Sequence, residues 1–146
     1  MSKNWKFSNL IKLDYDGKRL PIRRINYVFK FLRLHLKNVK VYKTLRLWKP
    51  SRKTDYGWHV KLETKERIPM YHLGYVQALM GSCWRRECYN FLRIVNLLTN
   101  PKIKGAIRQN WNVLYSEKKV GGKVASVEKF DKEATKKLKE MLKWRQ

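Results

Sequence analysis

The spacing of apolar residues changes near Val39, and this change restricts most strongly what the chain can fold into. Before it, over roughly residues 24–37, apolar residues recur every three or four positions, which predicts an amphipathic helix. After it, residues 39–47 and 58–65 alternate between apolar and polar, which predicts two strands that each bury one face. The basic, turn-rich segment 50–57 separates these strands, so we expect them to pair as an antiparallel hairpin.

Two other turns contain glycine and lie between apolar runs, which is typical of β-hairpins. They are Asp16-Gly17, between residues 9–15 and 18–22, and Gly121-Gly122, between residues 111–120 and 123–127.

Three more helices are predicted in the second half of the chain. Pro69 can open the first and Gly81 ends it, with Ser82 as the N-cap of the second. The third covers roughly residues 128–144. In the second helix we expect six apolar residues at helical spacing to form the core stripe: Trp84, Cys88, Phe91, Leu92, Val95 and Leu98.

Strands and helices alternate without a regular βαβ order, so the predicted class is α+β. We expect a small antiparallel sheet of hairpins packed with about four helices, in a single domain over residues 1–146.

The excess of positive charge narrows the range of possible functions more than any sequence motif does. The 146 residues include 35 Lys and Arg against 11 Asp and Glu, a net charge of +24. A folded body with this bias repels itself, and bound phosphates would relieve the repulsion. Hydrophobic residues make up 43% of the chain and aromatic residues 13%, which excludes a disordered basic tail. The composition therefore predicts a nucleic-acid partner.

Other classes find little support in the sequence. No apolar run is long enough to span a membrane, and the first residues lack the apolar stretch of a secretory signal, so we expect an intracellular protein. Cys83 and Cys88 are not spaced for a zinc site, and buried Cys88 is the simpler interpretation. Tyr71 and Tyr75 could act like the nucleophiles of rolling-circle initiators, but these also need two histidines that flank an apolar residue on a strand, and the segment Trp58-His59-Val60 offers one.

The polar face of the strand at 58–65 carries one candidate nuclease site. Asp55 precedes Glu63 and Lys65, and Asp followed by Glu-x-Lys occurs in many metal-dependent nucleases. The carboxylates would hold a hard cation such as Mg²⁺, and the lysine would stabilise developing negative charge. A solvated strand face gives the same pattern, so that alternative stays open.

Glu87 is the second candidate, because it is the only acid between residues 67 and 116 and lies among arginines. In a nuclease it would be a catalytic or metal-binding carboxylate inside a phosphate-binding surface. The alternative is a structural ion pair with a neighbouring arginine. The residues expected to bind nucleic acid are basic or aromatic and lie near these two candidates: Arg46, Trp48, Lys49, Arg52, Lys53, Lys61, Arg85, Arg86 and Arg93.

Two blocks, Tyr56-Gly-Trp-His-Val-Lys-Leu and the segment 81–93, resemble small basic proteins of linear double-stranded DNA viruses of hyperthermophilic archaea. Among these is an α+β nuclease family of filamentous and rod-shaped viruses that acts on linear duplex DNA. The similarity covers at most residues 40–98. It implies double-stranded DNA as the partner, a single essential glutamate matched by Glu87, and the host cytoplasm as the location.

We therefore expect a DNA-binding protein with metal-dependent nuclease activity on linear double-stranded DNA. The alternative is a non-catalytic binder: a regulator, a packaging factor or a ribosome-associated protein. A regulator would show a helix-turn-helix, which the helix pair over residues 69–98 could mimic. Glu87 clustered with Asp55 or Glu63 in a cleft would favour the enzyme. A protruding, base-rich second helix together with an ion-paired Glu87 would favour the regulator. The oligomeric state is left open.

Overall fold

The computed structural model describes residues 7–47, 56–99 and 111–144, and in these ranges it confirms the α+β class. The elements in chain order are β1 (Phe7–Asp16), α1 (Ile22–Phe31), β2 (Leu36–Arg46), β3 (Tyr56–Pro69), α2 (Met70–Leu79), α3 (Trp84–Thr99), β4 (Glu117–Val120), β5 (Lys123–Phe130) and α4 (Lys132–Leu142). The strands form one sheet in the order β1-β3-β2-β5-β4, and every neighbouring pair is antiparallel.

The hairpin predicted from alternation is confirmed as β2 and β3. Val39 lies opposite Leu62 and Val41 opposite Val60, and all four side chains are buried on one face of the sheet. The hairpin predicted at the turn 121–122 is also confirmed, as β4 and β5. Its two glycines have positive φ, as a tight two-residue hairpin turn requires.

The apolar face of the sheet carries the hydrophobic core. Ile25 and Phe29 of α1 and Leu73 of α2 belong to the same buried cluster as the strand residues, and so do Leu138 and Leu142 of α4. Alternation along the strands leaves the opposite face polar. No helix in the described ranges is both long enough and apolar enough to cross a membrane.

Three predicted boundaries are wrong. The hairpin predicted at Asp16-Gly17 does not form: residues 18–22 contain no strand and Ile22 begins α1, because β1 pairs with β3 instead of with the segment that follows it. The first helix ends at Phe31 rather than near residue 37. Arg33, two residues beyond this end, has a φ of 55°, which is not a right-handed helical conformation. The last helix begins at Lys132 because Asp131 is its N-cap, accepting a hydrogen bond from the main-chain N–H of Ala134.

The predicted core stripe of α3 is wrong as well. Trp84 is 70% exposed and Leu92 63% exposed, and Cys88, Phe91 and Val95 also face solvent. The side chain of Leu98 lies outside the described residues. The buried side of α3 instead combines apolar with polar residues, namely Glu87, Asn90, Ile94 and Leu97.

Candidate nucleic-acid interface

A cleft of about 600 Å³ lies on the polar face of the sheet. The sheet, including residues of β4 and β5, forms its floor, and residues of α3 and of the segment 113–116 complete its lining. Arg86 of α3 donates through Nε to the carbonyl of Val113, at 2.7 Å, and the N–H of Glu128 in β5 donates to the carbonyl of Ser116, at 2.8 Å. These bonds attach one end of the segment 113–116 to α3 and the other end to β5, so the segment is held in place beside the cleft.

The floor of the cleft carries a row of charged side chains drawn from three strands. His59 of β3 lies opposite Asp14 of β1, and its Nε2 is 3.4 Å from the Asp14 carboxylate. Its Nδ1 is 3.0 Å from Oε2 of Glu128, whose other oxygen is 3.5 Å from the Lys61 ammonium. Asp14 and Glu128 are therefore paired with basic groups, Asp16 also lines the cleft, and His59 is only 9% exposed.

Basic and aromatic side chains line the rim of the cleft. Arg85, Tyr89 and Arg93 are four residues apart on α3, which places them on the same side of the helix. Tyr115 of the segment 113–116 and Lys118 of β4 also line the cleft. The two tyrosines are 62% and 66% exposed, respectively, although they lie beside the charged floor. Arg46 of β2 also lines the cleft.

Glu87 lies in a buried polar network behind the cleft lining. Its Oε1 accepts from Nη1 of Arg86 at 2.7 Å, and both its oxygens accept from Nε2 of Gln77, at 2.9 and 3.0 Å. Asn90 donates to the same carboxylate at 3.2 Å. Burial raises the pKa of Glu87, and the charge of Arg86 and the two amide groups oppose that rise. Burial likewise lowers the pKa of Arg86, and the Glu87 carboxylate opposes that shift.

The same network provides hydrogen-bond partners for main-chain groups at the outer edge of β1. Arg86 donates to the main-chain carbonyl of Lys12 at 2.7 Å, and the side-chain Oε1 of Gln77 accepts from the main-chain N–H of Lys12 at 3.0 Å. The hydroxyl of Ser82 accepts from the N–H of Asp14 at 2.9 Å, so the predicted N-cap residue bonds to the sheet. Glu87 therefore neutralises the guanidinium that closes the strand edge, which is the ion-pair alternative considered above.

The structure brings together part of the predicted site. Arg46, Arg85, Arg86 and Arg93 all line one cleft, while Lys61 does not line it and pairs with Glu128, which does. The remaining predicted binding residues and one predicted metal ligand lie outside the described residues: Trp48, Lys49, Arg52, Lys53 and Asp55.

The predicted catalytic residues are not assembled at one point of the described structure. Glu63 lies 3.4 Å from the Lys37 ammonium, Lys65 is exposed, and Glu87 is held by Arg86. Within residues 7–47, 56–99 and 111–144, no three His, Cys, Asp or Glu side chains are arranged to hold a metal ion. A Mg²⁺ site therefore stays a prediction.

Several residues of the cleft were missed by sequence analysis. Tyr89 could have been found, since it lies midway between two arginines at helical spacing. Asp14 and Glu128 carry no such signal, because only the pairing of distant strands brings them to His59. The sequence gives no signal for Gln77 and Asn112 either, which are buried in the hydrogen-bond network around Glu87.

Comparison with known proteins identifies no relative of this chain: no protein-family model matches it, and neither a curated protein nor a solved structure is found to be similar.

Proposed function

We propose that the protein binds nucleic acid, with DNA as the expected ligand, and that the phosphate backbone is held at the rim of the cleft. One observation carries the proposal. Besides Arg86, which is paired with Glu87, four basic side chains from three different elements line this single cleft: Arg46, Arg85, Arg93 and Lys118. Basic groups that line a shared concave surface raise the local positive potential and attract a polyanion.

The 11 acids of the chain are too few to offset its 35 basic residues. Of the 11 Asp and Glu residues, seven are engaged in contacts within the fold, as ion-pair partners or as a helix cap. They are Asp14, Glu63, Glu66, Glu87, Glu128, Asp131 and Glu140. The net charge of +24 that remains supports binding through charge rather than through a particular base sequence.

The salt dependence of DNA binding tests the proposal. Each phosphate contact contributes a slope of about −0.9 to log K against log salt for duplex DNA, and about −0.7 for a single strand. If the four rim residues each contact a phosphate, the slope should be roughly −3 to −4 between about 50 and 200 mM salt. Fluorescence anisotropy with labelled DNA would measure it, and a slope near zero would overturn the proposal.

A matched pair of double variants locates the interface. We expect Arg85→Ala with Arg93→Ala to weaken binding to all sequences and to reduce the magnitude of the slope by about two units. Lys136→Ala with Lys137→Ala removes the same charge from exposed positions of α4, which packs against the opposite face of the sheet. Equal losses in both variants would show that net charge matters and the cleft does not.

Hydrolysis of phosphodiester bonds is a second candidate function, favoured by the position of His59 between Asp14 and Glu128 on the floor of the cleft. A histidine held by carboxylates is a common general acid–base arrangement. Linear duplex, circular duplex and single-stranded DNA should be incubated with the protein in Mg²⁺ or in EDTA. Cleavage that His59→Gln abolishes, while binding persists, would support this candidate; absence of cleavage of every substrate would leave a non-catalytic binder.

A further inference from the structure

Two exposed tyrosines stand among the basic residues of the cleft. Tyr89 is 62% exposed and lies one helical turn from both Arg85 and Arg93, and Tyr115, which lines the same cleft from the segment 113–116, is 66% exposed. Large aromatic rings that are left in solvent beside arginines offer flat surfaces on which nucleic-acid bases can stack. The cleft thus combines groups suited to phosphates with groups suited to bases.

The size of the cleft decides which form of nucleic acid can use both kinds of group. Its volume of about 600 Å³ lies in the range of small-molecule pockets. A duplex is too wide to enter such a space, and its bases are already stacked on each other. An unpaired strand can turn its bases outward and stack them on aromatic side chains.

We propose that the cleft binds an unpaired strand of nucleic acid, with bases stacked on Tyr89 and Tyr115 and the adjoining phosphates held by Arg85 and Arg93. This inference rests on the proposed function and refines it from nucleic acid in general to single strands. A duplex would contact the basic rim alone and gain nothing from the tyrosines.

The test compares three short oligomers of equal length: oligothymidylate, oligouridylate and an abasic DNA strand that carries the same phosphates without bases. We expect the protein to bind at least one of the base-bearing oligomers more tightly than the abasic strand. The loss of one stacking tyrosine should weaken that binding by roughly 5- to 150-fold. Comparison of the thymidylate and uridylate oligomers identifies whether the preferred strand is DNA or RNA.

Tyr89→Leu and Tyr115→Leu are the variants, since leucine keeps an apolar side chain but cannot stack as a ring. Each should lose affinity for the base-bearing oligomer and keep the affinity of the unmodified protein for the abasic strand. Tyr27→Leu is the matched control, because Tyr27 is 71% exposed on α1, which packs on the other face of the sheet. Thermal unfolding of all three variants establishes that they are folded.

The outcomes separate this inference from the proposed function. Equal binding of the base-bearing and abasic strands, or full affinity in both cleft variants, overturns the stacking inference while phosphate binding stands. Absence of binding to every oligomer and to duplex DNA at low salt overturns the proposed function itself.

Discussion

Replacing Arg86 with methionine tests the role assigned to the buried network. Methionine fills much of the same space but leaves the Glu87 carboxylate without the charge that lies 2.7 Å away. The side chains of the pair are 9% and 7% exposed, so water cannot replace the lost partner. Breaking a buried pair from one side costs about 3–5 kcal/mol.

The guanidinium also donates to the carbonyls of Lys12 and Val113, each at 2.7 Å. An orphaned buried acceptor costs about 1–3 kcal/mol, although such costs do not simply add. We therefore expect Arg86→Met to lower the free energy of unfolding by at least about 3 kcal/mol. For a chain of this size that loss corresponds to a fall in Tm of roughly 6–12 °C or more.

The loss of unfolding free energy in Arg86→Met should depend on pH, and the titration of Glu87 sets the direction of this dependence. Burial already raises the pKa of this carboxyl, and removal of Arg86 takes away the charge that opposes the rise. A carboxyl whose folded pKa lies above its unfolded pKa stabilises the fold fully below the unfolded value and loses this contribution as pH rises through the folded value. The deficit of Arg86→Met should therefore be smaller near pH ~4 than near pH ~8.

Denaturant unfolding across this pH range would measure the deficit. Lys143→Met is the control, because Lys143 pairs with Glu140 at 3.1 Å and both side chains are more than half exposed. Its cost should stay within about 0.5 kcal/mol at every pH. A deficit for Arg86→Met below about 1 kcal/mol, or one that grows toward acid pH, would refute the reasoning.

Three further changes test other parts of the structure. Gly57→Ala should destabilise the protein by at least about 2 kcal/mol in denaturant unfolding, because the new Cβ would lie 2.2 Å from the carbonyl oxygen of Tyr15; a cost near zero would contradict the strand packing. Glu87→Gln should leave affinity for DNA unchanged and any cleavage intact, as expected of a residue behind the cleft wall, whereas loss of cleavage by a folded variant would restore a catalytic role. With a thiol reagent, exposed Cys88 should react before Cys83, whose pKa is raised by burial, and Cys88→Ser should remove the fast phase; two equal rates would contradict this order.

The parts of the fold that were predicted correctly are those whose pattern is local. Alternation over residues 39–47 and 58–65 identifies two strands and which of their faces is buried, since a period of two has only one interpretation on a sheet. The glycine pair at 121–122 identifies its hairpin because the turn itself needs positive φ.

The orientation of α3 could not be predicted in this way. The helix has an apolar side that includes Trp84 and Leu92 and a side that carries Glu87 and Asn90, and sequence alone favours burial of the apolar side. The side with Glu87 is buried because the edge of β1, some 70 residues earlier in the chain, needs hydrogen-bonding partners. The charged row on the cleft floor was missed for the same reason, because it depends on the pairing of distant strands.

The two outer strands of the sheet also bear on how the protein behaves in concentrated solution. An unpaired strand edge is a template on which other chains can add strands and aggregate. The edge of β1 is covered by Gln77, Ser82 and Arg86, while β4 is only four residues long and carries Lys118 and Lys119, whose charge repels a second strand. The α2–α3 helix pair thus protects the sheet from edge-to-edge aggregation. Partial unfolding that detached this pair would expose the edge of β1, which is longer than that of β4.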